Sequence, residues 1–178
     1  MGADVTAVDV SANRIKRLRE NMRRLNLDVK IVRADVRKWW LETVKPQNLK
    51  FDAVLLDAPC SATGTLRRHP DVACHRAPQD VERLNKTQAE LLETAAGMLA
   101  DDGELVYCVC SILPSEGREI IDAAVKRGVV ERVPLTAGEV PAEMITESGD
   151  LRILPFFYES SGGCDGFFAA RLKKGKVK

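Results

Sequence analysis

The sequence contains no C-x-x-C pair, and its five cysteines are an odd number with no signal-peptide pattern ahead of them. That combination argues against a secreted disulfide framework and against a standard zinc site, so the expectation is no metal and reduced thiols in the cytoplasm. No apolar run approaches the roughly 18 residues that a spanning helix needs, so no membrane segment is expected. Internal repeats and low-complexity stretches are absent. Only two histidines occur, His69 and His75, which leaves a thiol hydrolase without an obvious base. A net charge of +1 names no partner.

What is present suffices for one domain with a real core: 178 residues, 45% of them hydrophobic. Charge is unevenly spread. Arg14, Lys16, Arg17, Arg19, Arg23 and Arg24 crowd one early segment, and Lys173, Lys174, Lys176 and Lys178 close the sequence. Such runs read either as solvated faces and tails or as phosphate-binding surface. Residues 173–178 are expected to form a basic tail.

Val5–Val8 is a short β-branched run ending at Asp9, and Ser11 suits the N-cap of a helix in which Ile15, Leu18, Met22 and Leu25 recur at helical spacing. Val29–Val32 reads as a second strand ending near Asp35. Phe51–Leu56 is almost continuously apolar, as expected of a strand buried on both faces, and it stops at Asp57-Ala58-Pro59-Cys60. After Pro78 a long helix shows one face through Val81, Leu84, Gln88, Leu91, Ala95 and Leu99. Glu104–Cys110 is the next strand, Ser115 a candidate cap for a helix carrying Ile120, Ile121, Ala124 and Val125, and Gly128 its stop. Leu151–Tyr158 and Gly166–Leu172 read as an antiparallel pair around Gly162-Gly163. Strand and helix alternate before a closing hairpin, which indicates an α/β, doubly wound domain with an antiparallel edge.

In that architecture ligands bind at the carboxyl ends of strands. Asp9 stands where ribose hydroxyls are usually accepted, and Asp35 could accept from an adenine amino group, although each could equally be a cap or turn residue. Asp57, Cys60 and Cys110 also lie at strand ends. A buried strand closing on a carboxylate, a rigid proline turn and a thiol is hard to explain by folding alone. Cys108 and Cys110, two apart, could share a face, but only Cys110 lies where the strand breaks. Cys74 and Cys164 have no such context.

Asp57-Ala58-Pro59-Cys60-Ser61-Ala62-Thr63-Gly64, Arg67-Arg68-His69-Pro70-Asp71, Tyr107-Cys108-Val109-Cys110-Ser111-Ile112-Leu113-Pro114 and Asp165-Gly166-Phe167-Phe168 together resemble the ordered motifs of RNA (cytosine-5) methyltransferases. The resemblance spans nearly the whole sequence and is greatest to the bacterial 16S ribosomal RNA enzymes of the Sun/RsmB type, within the NOL1/NOP2/Sun superfamily. It implies a Rossmann-like fold that uses S-adenosyl-L-methionine and binds RNA, ribosomal RNA first and transfer RNA as the alternative.

By this resemblance Cys110 is the nucleophile that adds to carbon 6 of cytosine, since carbon 5 is too poor a nucleophile to take a methyl group unaided. Cys60 assists release of the enzyme after transfer, and Asp57 hydrogen-bonds the pyrimidine edge. Asp9, Asp35 and Asp57 are the implied cofactor-binding residues, and Arg67, Arg68 and His69 the implied RNA contacts. The target base must be unstacked or flipped to reach such a cleft.

Some of the pattern is missing. The glycine-rich first motif and the strand before it would precede Gly2, as would an RNA-binding region, so residues 1–172 are expected to be a partial, N-terminally truncated catalytic domain whose activity could be lost. Val109 replaces the usual Thr, and Ser115-Glu116-Gly117 stands where Glu-Glu-Asn is common; both flank the thiol without replacing it. The reading from a different class is a non-catalytic RNA-binding remnant of the same fold.

Overall fold

The computed structural model describes residues 2–175. Two compact units divide the chain, Met1–Leu49 and Lys50–Lys178. In the first, β1 (Thr6–Asp9), α1 (Ala12–Leu25) and β2 (Lys30–Arg33) form a strand–helix–strand unit, with β1 and β2 parallel and Asp9 opposite Arg33. Ser11 caps α1 by accepting from the Arg14 backbone N–H, and Asn26 ends it in the left-handed region at φ 52°. Ile15 is the one residue of α1 that is fully buried, whereas Leu25 is 50% exposed. A short helix, α2 (Val36–Trp39), follows Asp35 and runs into a wider turn, Trp40–Val44.

The second unit is a five-stranded mixed sheet with helices packed on it. Its strands are β3 (Phe51–Asp57), β4 (Leu99–Val109), β5 (Val130–Arg132), β6 (Leu151–Ile153) and β7 (Phe167–Lys174), in the order β3-β4-β7-β5, with β6 also paired to β7. The β3–β4 pair is parallel; β7 runs antiparallel to β4, β5 and β6. The helices are α3 (Pro78–Met98) and α4 (Arg118–Lys126).

Period-two alternation builds the core. Leu105, Tyr107 and Val109 of β4 are fully buried, as are Leu92 of α3, Ile121 and Ala124 of α4, and Ala170 and Leu172 of β7. Each large apolar side chain so buried stabilises the fold by about 1.5–3 kcal/mol.

Four expectations are corrected. β3 is not buried on both faces: Val54 and Leu56 join the core, but alternation turns Leu55 to the opposite face, where it is 73% exposed. The long helix ends at Met98, because Leu99 already pairs with Phe51 as the start of β4. Strand pairing in the hairpin stops at Ile153, and Phe156 and Tyr158 lie exposed in the turns beyond it. Lys173 and Lys174 belong to β7 rather than to a tail, and pair with Glu131 and Asp101; residues 176–178 lie outside the described residues. Among the described residues no helix is long and apolar enough to cross a membrane.

Candidate active site

β3 and β4 end level, with Asp57 opposite Cys108, and the pairing continues one residue further through Ala58 N–H donating to the Cys108 carbonyl at 3.0 Å. The two strands therefore release their following loops side by side. Pro59 turns the first loop and brings Cys60 back toward the second. The Cys60 and Cys110 Sγ atoms are 3.5 Å apart, both half-buried. Asp57 is exposed at the strand end, and its Oδ1 lies 4.0 Å from the Cys108 Sγ.

Glycine is required where these loops cross. Gly64 N–H donates to the Cys110 carbonyl at 3.0 Å, and Gly64 carbonyl accepts from Gly166 N–H at 2.8 Å. A Cβ on Gly64 would lie 2.0 Å from the Gly166 oxygen. Three separate sequence motifs thus meet backbone to backbone at one point. Ala62, just before it, holds φ 60°, a left-handed conformation that costs an L-residue about 1–2 kcal/mol.

The thiols differ in character. Cys60 donates its S–H toward the Cys110 sulfur, which draws Cys110 down to about 7 against burial and the nearby negative groups Asp57 and Glu116. The same hydrogen bond, with burial, pushes Cys60 strongly up. Cys108, buried beside Asp57, is pushed up to about 11. One thiol of the cluster is therefore poised to ionise near neutral pH while its neighbours keep their protons.

Glu116 is the site residue that sequence reasoning missed. It is fully buried, in the turn before α4. Oε1 accepts from Ser61 N–H at 2.8 Å and from Gln88 Nε2 at 3.2 Å; Oε2 accepts from the Ser61 and Ser111 hydroxyls, each at 2.5 Å. Gln88 Nε2 also donates to the Pro59 carbonyl at 2.8 Å, and Tyr107 OH to the Glu116 carbonyl at 2.6 Å. The residue following each thiol is thereby tied to a single carboxylate. The available signals were the paired serines, Cys60-Ser61 and Cys110-Ser111, and Glu116 as the one position of Ser115-Glu116-Gly117 that keeps the residue common in the resembled family; nothing in its spacing marks it as buried.

The remaining predicted residues fall as follows. Arg68 forms an ion pair with Asp165, joining the loop after Cys60 to the turn before β7, while Arg67 and His69 are exposed. Cys74 is exposed, and Cys164 donates to the Leu154 and Phe157 carbonyls. In the first unit, Asp9 accepts from Ser11 N–H at 2.6 Å and from Arg14, and Asp35 caps α2 through Arg37 N–H while pairing with the Arg37 guanidinium. Those partners hold the Asp9 carboxyl below the usual range and Asp35 at about 2. A cavity of about 580 Å³ on this unit, lined by Arg19, Met22, Arg23 and Asn26 among others, includes none of the predicted site residues. Among the described residues no cluster of His, Cys, Asp or Glu could hold a metal ion.

Comparison with known proteins identifies the family and the fold. The family described as 16S rRNA methyltransferase RsmB/F matches residues 1–173. Ribosomal RNA small subunit methyltransferase B of Photorhabdus laumondii is 41% identical over 174 residues, covering 97% of this chain and 37% of that protein. Among solved structures, a methyltransferase homolog protein from Pyrococcus horikoshii is 31% identical with a TM-score of 0.74, over 97% of this chain and 53% of the other. NSun6 from Pyrococcus horikoshii, solved with SFG, is 26% identical with a TM-score of 0.77, over 98% and 42%. The chain spans little more than a third of the length of the curated relatives it matches. With these likenesses, and with both thiol motifs converging at the carboxyl edge of a parallel strand pair, the chain belongs to the RsmB/F family of 16S rRNA methyltransferases and has their Rossmann-like α/β fold.

Proposed function

We propose that this protein transfers a methyl group from S-adenosyl-L-methionine to carbon 5 of a cytosine in RNA, within small-subunit ribosomal RNA, through a covalent adduct on Cys110. The observation that carries the reading is the 3.5 Å separation of Cys60 and Cys110 Sγ beside Asp57. A lone nucleophilic cysteine would serve many reactions. A second thiol in contact with it suits one that must both form and break a carbon–sulfur bond.

The Cys110 thiolate adds to carbon 6 of the pyrimidine, forming an S–C bond and moving an electron pair onto carbon 5. Asp57, exposed at the end of β3, hydrogen-bonds the pyrimidine edge as the ring loses aromaticity. S-adenosyl-L-methionine, when bound, supplies a sulfonium-activated methyl group that the carbon 5 electron pair can take. Loss of the carbon 5 proton to a base then restores the ring and expels the Cys110 thiolate, which the Cys60 S–H stabilises from 3.5 Å.

The donor set of the first unit fits the adenosine half of the methyl donor. Asp9 closes β1 and Asp35 follows β2, so two carboxylates stand at the carboxyl end of a parallel pair, suited to ribose hydroxyls and an adenine amino group. Their present partners, Arg14 and Arg37, are exposed enough to be exchanged for ligand groups at little cost. Arg67, Arg68 and His69 contact RNA phosphate in this reading, and the target base enters unstacked.

Methyl transfer from radiolabelled S-adenosyl-L-methionine to 16S rRNA tests the proposal. Cys110→Ala is expected to abolish transfer, and Cys60→Ala to accumulate a covalent RNA–protein adduct that denaturing gels resolve. Transfer that persists in Cys110→Ala overturns the adduct. RNA binding without transfer in the unmutated protein favours a non-catalytic role.

A further inference from the structure

We propose that Glu116 is a positioning residue: its buried carboxylate, gripped by the serine that follows each thiol, sets the distance and orientation between Cys60 and Cys110. The role assigned to Glu116 rests on the two-thiol reading above; the geometry that supports it does not.

Proton counting gives the network a direction. Each hydroxyl has one proton to give. Ser61 and Ser111 spend theirs on Oε2, so Thr63 Oγ1, 2.9 Å from Ser111 Oγ, is the donor of that pair, and it accepts in turn from Ile112 N–H at 3.2 Å. Every bond at the carboxylate is an acceptor bond, and four donors reach it from three segments: the loop after β3, α3 through Gln88, and the loop after β4. A carboxylate satisfies that set as it stands; a side-chain amide keeps one acceptor oxygen for Ser61 N–H and Gln88 and turns N–H groups toward the two serines, so both hydroxyls must give up their bonds to the carboxylate and point their protons elsewhere. Leu113 N–H donating to Ser111 Oγ at 3.1 Å fixes the second loop further. The Cys60 sulfur is also reached by the Ala62 backbone N–H and the Cys110 sulfur by its own, but the bonds that tie the two loops to each other run through the serine after each cysteine to the one carboxylate.

A role confined to folding and a role in positioning predict opposite changes at Cys110. The titratable groups around its sulfur are Cys60, Asp57, Cys108 and Glu116. Removing the negative charge of Glu116 alone makes the Cys110 thiolate easier to form. Losing the Cys60 hydrogen bond makes it harder, and that bond is the larger influence.

Three variants test this: Glu116→Gln, Glu116→Asp and Ser111→Ala. Proximity is read by phenylarsine oxide, which bridges two thiols held close together, and ionisation by the pH profile of Cys110 alkylation followed by peptide mass. Glu116→Gln is expected to weaken arsenical capture at least tenfold and to move the Cys110 profile to higher pH. Ser111→Ala, which removes a single hydroxyl and leaves the carboxylate buried with three donors, is expected to shift both in the same direction by less. Glu116→Asp recovers part of the loss. If methyl transfer is measurable, kcat falls with little change in the KM for the methyl donor.

Wild-type capture in Glu116→Gln and Ser111→Ala, or a Cys110 profile that moves only to lower pH, overturns the proposal. Should Glu116→Gln fail to fold, Ser111→Ala decides. Altered capture in a protein with no methyl transfer leaves the positioning role standing and removes the function proposed above.

Discussion

Replacing Gly64 by Ala tests the crossing of the three motifs with one methyl group. An alanine Cβ there would stand 2.0 Å from the Gly166 oxygen, 2.7 Å from its carbon and 2.9 Å from the Cys110 oxygen. All three are backbone atoms, so no side chain can swing away. The loops must separate by more than an ångström. Overpacking of this kind costs about 1–3 kcal/mol. Separation also lengthens the Gly166 N–H to Gly64 and Gly64 N–H to Cys110 hydrogen bonds, each worth about 0.5–1.5 kcal/mol net. The expected loss is therefore about 2–6 kcal/mol, read as a fall of the urea midpoint at unchanged slope and of Tm by roughly 4–24 °C. Gly138→Ala is the control, since the nearest atom to its new Cβ is Thr136 Oγ1 at 3.9 Å, and a change within about 0.5 kcal/mol is expected. Equal midpoints for Gly64→Ala and Gly138→Ala would refute the claim that the site is closed by backbone contact.

Iodoacetamide should modify Cys110 at half its maximal rate near pH 7, rather than in the range around 8.5 of an ordinary thiol. Because the reactive form is the thiolate, the rate falls about tenfold for each pH unit below that point, and Cys60→Ala, which deletes the donor, moves the profile upward. Arg132→Met leaves Asp150, 2% exposed, without the guanidinium that contacts it at 3.2 Å and should cost about 3–5 kcal/mol in urea unfolding. A cost below about 1 kcal/mol would show that the pair is not needed. Leu105→Ala should lose about 2–5 kcal/mol from the fully buried core, whereas Leu55→Ala, on the open face of β3, should lose under about 1 kcal/mol. Comparable losses would contradict the assignment of the two faces.

The strand ends, the turns and both thiol motifs were legible because they rest on local chemistry. Pro59 has no N–H to give a ladder and turns the chain just beyond β3, and Ser11 caps a helix with its own hydroxyl. Element boundaries were less legible where a neighbour decides them. Leu99 continues the helical face of Val81 to Ala95 in pattern, yet it pairs with Phe51, and tertiary pairing overrides the period. The apolar run at Phe51–Leu56 could not reveal that only one of its faces is covered, since an apolar residue is compatible with either state. Glu116 was illegible for the converse reason. A glutamate in a proline-bearing turn is ordinarily solvated, and only the folded positions of Ser61, Ser111 and Gln88 explain its complete burial.

β7 comes after every other described element in the sequence, yet it occupies an interior slot of the sheet, flanked by β4 on one side and β5 and β6 on the other. A ribosome delivers residues in order at about 5–20 per second, so both sulfur-bearing loops emerge several seconds before the strand that completes their support. Until then β4 has an open edge, and Gly64 has no Gly166 to clasp it. The nascent chain thus carries Cys110, the thiol most easily ionised, in an unfinished setting. A chaperone that shields that edge would guard the chemistry along with the fold.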